Sequence, residues 1–156
     1  GGPLLDKYAK EGNPNAYQFP EPQIPGLDFS FSGLKTAFLY FIRDKQKENP
    51  NFLEENMADV CASIQYRIVS VLINKVKKAV KETGINRVAI AGGVSANSGL
   101  RNALLEAEKK WKWNVFIPKF EYCTDNAAMI AIAGYHKYLK GEFVGQEVSP
   151  LARWSI

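Results

Sequence analysis

Residues 87–97 read Arg-Val-Ala-Ile-Ala-Gly-Gly-Val-Ser-Ala-Asn, and this stretch decides the fold class. Its first five residues form a short apolar run, which is typical of a strand buried in a parallel sheet. A turn with paired glycines follows, and a helical pattern then runs over 98–110. A second strand at 114–117 and a further helix at 127–140 predict a parallel strand pair joined by a right-handed crossover. We therefore expect an α/β fold.

The residues before this stretch are mainly helical in pattern. Alternating polar and aromatic residues predict one half-buried strand, and Gly84 is the expected stop of a long helix. In chain order, the predicted segments are a helix at 3–11, a connector at 12–26, the strand at 28–32, and helices at 34–47 and 52–83. These patterns divide the chain into a mainly helical segment, 1–84, and a strand–helix–strand–helix unit, 85–156.

The composition is that of an ordinary globular protein, since 46% of the 156 residues are hydrophobic and 23% are charged. No apolar run approaches the roughly 20 residues that span a bilayer, and no secretory leader is expected, so we predict no membrane association. Cys61 and Cys123 form neither a disulfide framework nor a CxxC metal motif, which favours a reducing cytoplasm. The start, Gly1-Gly2-Pro3, has no methionine and indicates a fragment of a longer protein.

The net charge of +4 permits a phosphate-rich partner such as tRNA but does not require one. A mildly basic protein without a nucleic-acid partner explains the charge equally well. The basic residues are spread along the chain, apart from one local cluster of Lys75, Lys77, Lys78 and Lys81.

The turn at 92–97 is the strongest candidate for a binding site. In open α/β sheets, ligands bind beyond the carboxyl ends of the strands. Gly92 and Gly93 would let the backbone approach a ligand closely, and the helix that follows offers unpaired N–H groups. Asn97 carries both a donor and an acceptor, which suit ribose hydroxyls or a base edge. A tight turn with Asn97 as a plain helix N-cap is the alternative, and the residues alone leave both open.

Asp125 is the second candidate, because it lies after the second predicted strand. It is either a helix N-cap, the common role of Asp at such a position, or a metal ligand. His136 cannot complete a metal site with Asp125, since eleven residues on one helix correspond to about 16 Å. Any further ligands would lie outside this chain. Cys123 lacks the adjacent base that a nucleophile needs.

Ser32, Lys35 and Thr36 follow the predicted strand and open a helix, so they could reach a phosphate. Capping by Ser32 with an exposed Lys35 is an equally good interpretation. His136 is expected to face solvent, and Phe38, Phe41 and Phe52 are expected in the core.

Four motifs, taken in order, resemble the TsaD family. Their order and approximate spacing match from residue 1 to about residue 135, and the combination is far more specific than any one motif. The motifs are GGP at 1–3, DFSFSGLKT at 28–36, AGGVSAN at 91–97 and CTDNAAMI at 123–130.

The resemblance implies a two-lobed fold of the actin, sugar-kinase and Hsp70 type around a nucleotide cleft. The implied reaction transfers a threonylcarbamoyl group from threonylcarbamoyl-AMP to N6 of the tRNA adenosine 3′ to the anticodon. Gly2 and Asp6 would lie at the adenylate, and Asn97 would contact its ribose or base. Asp125 would hold one divalent metal ion, iron or zinc. The family's two metal-binding histidines belong to an upstream HxxxH motif that this chain lacks.

The chain would thus be the C-terminal half of a larger protein and inactive alone. The implied partners are tRNA, threonylcarbamoyl-AMP or ATP, and, in a bacterium, the paralogue TsaB and the ATPase TsaE. A metallopeptidase, the family's former label, is one alternative, although the chain has no HExxH motif and no nucleophile–base pair. An ATPase or phosphotransferase of the same superfamily is another, because fold alone does not fix function. A non-catalytic interaction module is the third.

Overall fold

The computed structural model describes residues 1–22 and 24–151. The chain forms two compact units, Gly1–Cys123 and Thr124–Ile156. The first unit contains α1 (Gly2–Ala9), α2 (Ser32–Glu48), α3 (Phe52–Thr83), β1 (Arg87–Ala89), α4 (Ser98–Trp111) and β2 (Asn114–Phe116). The second unit contains α5 (Ala127–Leu139). This mixture of helices and strands confirms the expected α/β class.

The long helix α3 packs against three other helices of the first unit, α1, α2 and α4. It begins at Phe52 and ends at Thr83, as predicted, because Gly84 adopts the left-handed conformation (φ 71°) that terminates a helix. The short helix α1 packs against α3. Just after α1, a Cβ added to Gly12 would overlap the Ala58 carbonyl group, so this crossing of the two backbones requires glycine.

The two strands pair in parallel, which confirms the expected parallel pairing. Val88 lies opposite Val115 in the register, and the Ile90 N–H extends the ladder to the Phe116 carbonyl oxygen (3.1 Å). The expectation that β1 is a fully buried strand is wrong. Val88 is buried but Arg87 and Ala89 are exposed, because the helices of this unit cover one face of the sheet.

Two hydrophobic clusters hold the first unit together. The first joins β1 and α4 to the C-terminal half of α3, so it crosses the division at residue 84 that the sequence predicts, and that division stays a prediction. Its buried members are Val88, Leu100, Leu104, Ala107 and Trp113. The second cluster contains Phe19, Leu34 and Ile64, with Phe38 and Phe41 packed against them, and Phe52 is also buried. The predicted core aromatics therefore belong to the core or its edge.

The predicted strand at 28–32 is wrong. Residues 28–31 have no regular secondary structure, and α2 already begins at Ser32. A strand needs the backbone groups of a neighbour, and the two strands in the described part of the chain pair with each other. The alternation instead places the rings of Phe29 and Phe31 in a stack, with centroids 6.2 Å apart.

In the described part of the second unit, residues 124–151, α5 is the single helix. Its N-cap is Asn126, whose side-chain oxygen accepts a hydrogen bond from the Met129 N–H (3.1 Å), and Gly141 follows it with φ 70°. Over residues 1–22 and 24–151, no helix combines the length and apolarity needed to cross a membrane.

Candidate functional site

The turn after β1 has a backbone conformation that requires glycine. Gly92 has φ 79° and ψ 177°, a region that residues with a Cβ avoid. A short 3-10 helix, Gly93–Ala96, then leads to Asn97. Ser95 lies beneath the turn, 1% exposed, and its hydroxyl donates to the Gly92 carbonyl oxygen (2.6 Å). The turn is therefore pinned from below.

The opposite side of the turn is open. Gly92, Gly93 and Val94 are exposed, and the N–H groups of Gly93 and Val94 donate to no atom of the described residues. A Cβ at Gly93 would meet nothing within 4 Å, and Gly93 is not among the residues with positive φ. Neither packing nor backbone strain within the described chain explains this glycine, whereas close approach of a ligand would.

Asn97 is the N-cap of α4. Its side-chain oxygen accepts from the Leu100 N–H (2.9 Å), and its amide nitrogen donates to Gln65 Oε1 on α3 (2.7 Å). A Cβ at Gly99 would come within 2.8 Å of Gln65 Nε2, so glycine there leaves room for Gln65. The capping interpretation is confirmed, and a ligand-binding role for Asn97 stays a prediction.

The structure brings Asp6 to the same place. Its carboxylate accepts hydrogen bonds from the Ser98 N–H (3.2 Å) and the Ser98 hydroxyl (2.8 Å). This carboxylate thus occupies the positive end of α4, where a helix stabilises negative charge. Gly2 lies one helical turn before Asp6 on the same face of α1, and no atom lies within 4 Å of a Cβ added there. Two residues that the resemblance assigns to the adenylate therefore share one face of α1, beside α4.

Arg101 links the turn to the chain that follows β2. Its Nε donates to the Ser95 carbonyl oxygen (2.6 Å), and its Nη2 donates to the Pro118 carbonyl oxygen (2.8 Å). The same Nη2 donates to Cys123 Sγ (3.0 Å), and the Cys123 thiol donates to the Lys119 carbonyl oxygen (3.5 Å). Cys123 is 1% exposed, so this thiol is a packed structural group. No sequence motif singles out Arg101, although it lies one helical turn after Asn97.

Asp125 is exposed and does not cap α5, because Asn126 fills that position. The capping interpretation of Asp125 is therefore wrong. Within 1–22 and 24–151, no three His, Cys, Asp or Glu side chains cluster as a metal site would require. The described residues thus offer an accessible carboxylate but no complete donor set. His136 is exposed on α5, as predicted.

Three of the four lysines in the basic cluster on α3 contact other segments of the protein. Lys75 Nζ donates to the carbonyl oxygens of Ile24 (2.7 Å) and Gly26 (2.9 Å), and Lys78 Nζ also reaches Gly26 (3.1 Å). Lys77 Nζ lies 4.6 Å from the ring centroid of Trp111, where the ring face attracts a cation. These contacts join the connector and α4 to α3, although Lys77, Lys78 and Lys81 all remain exposed.

The other candidate cluster, Ser32, Lys35 and Thr36, forms the exposed start of α2. The expected cap by Ser32 is wrong, because Phe31 is the N-cap and no side chain caps the helix. The Thr36 hydroxyl donates to the Ser32 carbonyl oxygen (3.1 Å). Lys35 has no hydrogen bond to another side chain in the described residues, and a phosphate-binding role stays a prediction.

Comparison with known proteins assigns the chain to a family. The profile described as "TsaD: tRNA N6-adenosine threonylcarbamoyltransferase" matches residues 1–132. The chain belongs to the TsaD family. Similar TsaD-family proteins, all named tRNA N6-adenosine threonylcarbamoyltransferase, occur in Christiangramia forsetii (64% identical), Cytophaga hutchinsonii (56%) and Porphyromonas gingivalis (52%). Each match covers 100% of this chain and 46% of the relative, so the chain spans about half the length of these TsaD proteins.

Proposed function

We propose that this chain supplies the adenylate-binding side, and one metal ligand, of an enzyme that makes N6-threonylcarbamoyladenosine in tRNA. One observation carries the proposal: the turn at 92–97 is open to solvent, presents two unused backbone N–H groups, and contains a glycine that nothing in the described chain requires. Membership of the TsaD family supports the same reading. The rest of the two-lobed fold and its cleft would come from residues outside this chain.

The adenylate would bind against the exposed side of this turn. The N–H groups of Gly93 and Val94 would donate to its phosphate or ribose oxygens. The Asp6 carboxylate accepts from Ser98 and keeps unused lone pairs, so it can also accept from ribose hydroxyls. Asn97 is committed to Leu100 and Gln65, and its remaining oxygen lone pair would contact the ribose or base.

Asp125 fits a metal ligand in one respect, because its carboxylate is exposed and is not used as a cap. Carboxylate oxygen is a suitable donor for iron or zinc at an open catalytic site. A single carboxylate does not make a site, so the two histidines implied by the resemblance must come from elsewhere in the protein. When bound, the ion would stabilise charge on the threonylcarbamoyl carbonyl oxygen.

In the proposed reaction, the N6 amine of the tRNA adenosine attacks the carbonyl carbon of threonylcarbamoyl-AMP. A C–N bond forms, the bond from that carbon to the AMP oxygen breaks, and the amine loses a proton as AMP leaves. The turn at 92–97 and Asp6 would hold the AMP portion throughout, which keeps the carbonyl in place for attack. TsaB and TsaE are the proposed protein partners if the source is a bacterium. Exposed lysines, such as Lys35 and Lys81, would be available to contact tRNA phosphates.

The alternatives receive less support. The relatives are named threonylcarbamoyltransferases, which favours transfer of a threonylcarbamoyl group over peptide hydrolysis or phosphoryl transfer. A peptidase would need a metal site or a nucleophile beside a base, and Cys123 is buried against Arg101. An interaction module would not need the unused N–H groups at an exposed turn.

The test uses the full-length protein with tRNA, threonylcarbamoyl-AMP and the proposed partners TsaB and TsaE, and measures the modified nucleoside by mass spectrometry. Wild type should form it. Gly93→Val, which fills the open side of the turn, should lower the rate at least about tenfold. Val94→Ala removes atoms from the same turn and serves as the matched control. Failure of wild type to modify tRNA, or full activity of Gly93→Val, would refute the proposal.

A second test uses the chain itself. Calorimetric titration should show weak binding of AMP and hardly any binding of Zn²⁺, because the metal donors are shared with residues elsewhere. Tight Zn²⁺ binding by this chain alone would contradict the shared metal site.

A further inference from the structure

We propose that Arg101 is a positioning residue that holds the turn at 92–97 in the shape that binds adenylate. The inference rests on the proposed function and adds to it a residue that does not itself touch the ligand. The contacts that carry it lie wholly within the unit Gly1–Cys123.

The acceptors of Arg101 lie on two separate segments of the chain. The Ser95 carbonyl oxygen lies in the middle of the turn, and the Pro118 carbonyl oxygen and Cys123 Sγ lie on the chain after β2. The parallel ladder ends at the Ile90 N–H and the Phe116 carbonyl oxygen, so it does not reach either segment. Arg101 therefore joins two segments that the sheet leaves without a backbone link.

Several hydrogen bonds hold the turn on its buried side, and all of them involve Ser95. Ser95 is buried, and its hydroxyl and its N–H both bind the Gly92 carbonyl oxygen (2.6 and 2.9 Å). The Arg101 Nε contact of 2.6 Å then fixes the carbonyl group of the same residue. Movement of Ser95 would shift Gly93 and Val94, whose N–H groups are the proposed ligand donors.

The shape of the Arg101 side chain suits it to bind both segments. A guanidinium is a rigid planar fork, so Nε and Nη2 can donate in different directions at once. A lysine ammonium is a single point of charge and cannot span the Ser95 and Pro118 carbonyl oxygens in the same way. Lysine at this position would keep the charge and lose the link.

The experiment compares three variants of the full-length protein by calorimetric titration with AMP. Arg101→Lys should raise the AMP dissociation constant about tenfold. Cys123→Ala removes the weakest of the three acceptors and keeps both carbonyl contacts, so its constant should stay within about twofold of wild type. Arg43→Lys, at an exposed position on α2, is the matched control for the substitution itself.

The outcomes separate this inference from the proposed function. AMP binding by wild type with an unchanged constant in folded Arg101→Lys would overturn the inference alone. An effect of Cys123→Ala as large as that of Arg101→Lys would also overturn it, because the carbonyl link would then not be the cause. No AMP binding by wild type would overturn the proposed function, and the inference with it.

A measurement on wild type needs no variant to fold. AMP should slow amide hydrogen exchange at 92–97 and at 119–123 together, since Arg101 joins these segments. Slower exchange at 92–97 alone would overturn the inference.

Discussion

The Asp6 carboxylate accepts two hydrogen bonds from Ser98, which lies 92 residues further along the chain. This contact joins α1 to the first turn of α4. It also provides an acceptor for a backbone N–H group that has no partner within the helix. We expect Asp6→Ala to cost about 1–3 kcal/mol, and thus to lower Tm by about 2–4 °C per kcal/mol. Differential scanning calorimetry measures this shift. Asp44→Ala removes an exposed carboxylate on α2 and should leave Tm nearly unchanged; an equal fall in both variants would contradict the special role of Asp6.

Asn97→Asp separates the capping role of Asn97 from its proposed ligand role. A carboxylate oxygen can still accept from the Leu100 N–H, and a negative charge suits the start of a helix, so Tm should change little. The lost amide donor and the added charge should weaken AMP binding about tenfold. Paired measurements of Tm and AMP affinity decide the matter. Unchanged affinity would leave Asn97 as a cap and nothing more.

Asp125→Ala should abolish modification of tRNA by the full-length protein and leave α5 intact, because Asn126 is the cap. Asn126→Ala is the contrasting variant, expected to cost about 1 kcal/mol of helix stability through loss of the Met129 contact. Nucleoside analysis of the tRNA and bound-metal analysis of the protein provide the readouts. Full activity of Asp125→Ala would remove Asp125 from the metal site.

Gly12→Ala should destabilise the protein by about 1–3 kcal/mol, because the added Cβ would overlap the Ala58 carbonyl group on α3. Gly33→Ala lies in α2 with open space around the added methyl group and should be neutral or stabilising. Urea unfolding of the two variants against wild type gives the comparison. Equal stability of the Gly12 and Gly33 variants would show that α1 can move away from α3.

Stability should fall as pH rises above about 9, and Cys61 gives the first step. Burial raises the pKa of the Cys61 thiol above its ordinary value of 9.0, and burial, with the charge of Asp59, raises that of Tyr17 above 10.0. Between the unfolded and folded pKa values the folded state holds more protons, so the free energy of unfolding decreases with pH. Well below pH 9 both groups are protonated in both states and contribute no slope. In urea-unfolding series from pH 8 to 10.5, Cys61→Ala should lose the step that begins near pH 9, and a slope identical to wild type would contradict this.

Local sequence signals predicted the elements that end on strong local chemistry. Gly84 stops α3 where expected because only a left-handed residue allows that ending, and the paired strands follow from apolar runs separated by a helix. The strand at 28–32 failed because alternation describes one chain, whereas a strand depends on a neighbour. Between Asp125 and Asn126 the sequence could not choose the cap, since both side chains offer an oxygen and one residue of register decides.

The contacts around the candidate site were less predictable, because they join residues far apart in sequence. The glycines of the Gly92–Asn97 turn were enough to predict it. Gln65, whose side-chain oxygen accepts a hydrogen bond from Asn97, lies on α3 and carries no local motif. Arg101 resembled any other polar residue of an amphipathic helix. Only its three acceptors, from Ser95 to Cys123, distinguish it from a solvent-facing arginine.

The hydrogen bonds from Lys75 to the connector have an evolutionary consequence. The ammonium group of Lys75, together with that of Lys78, binds the main-chain oxygens of Ile24 and Gly26 rather than the Ile24 side chain. Relatives should therefore tolerate different side chains at residues 24 and 25 as long as the path of the polypeptide is kept, whereas Gly12 and Phe19 of the same connector are fixed by packing. Gly26, with φ 64°, is the place where that freedom ends.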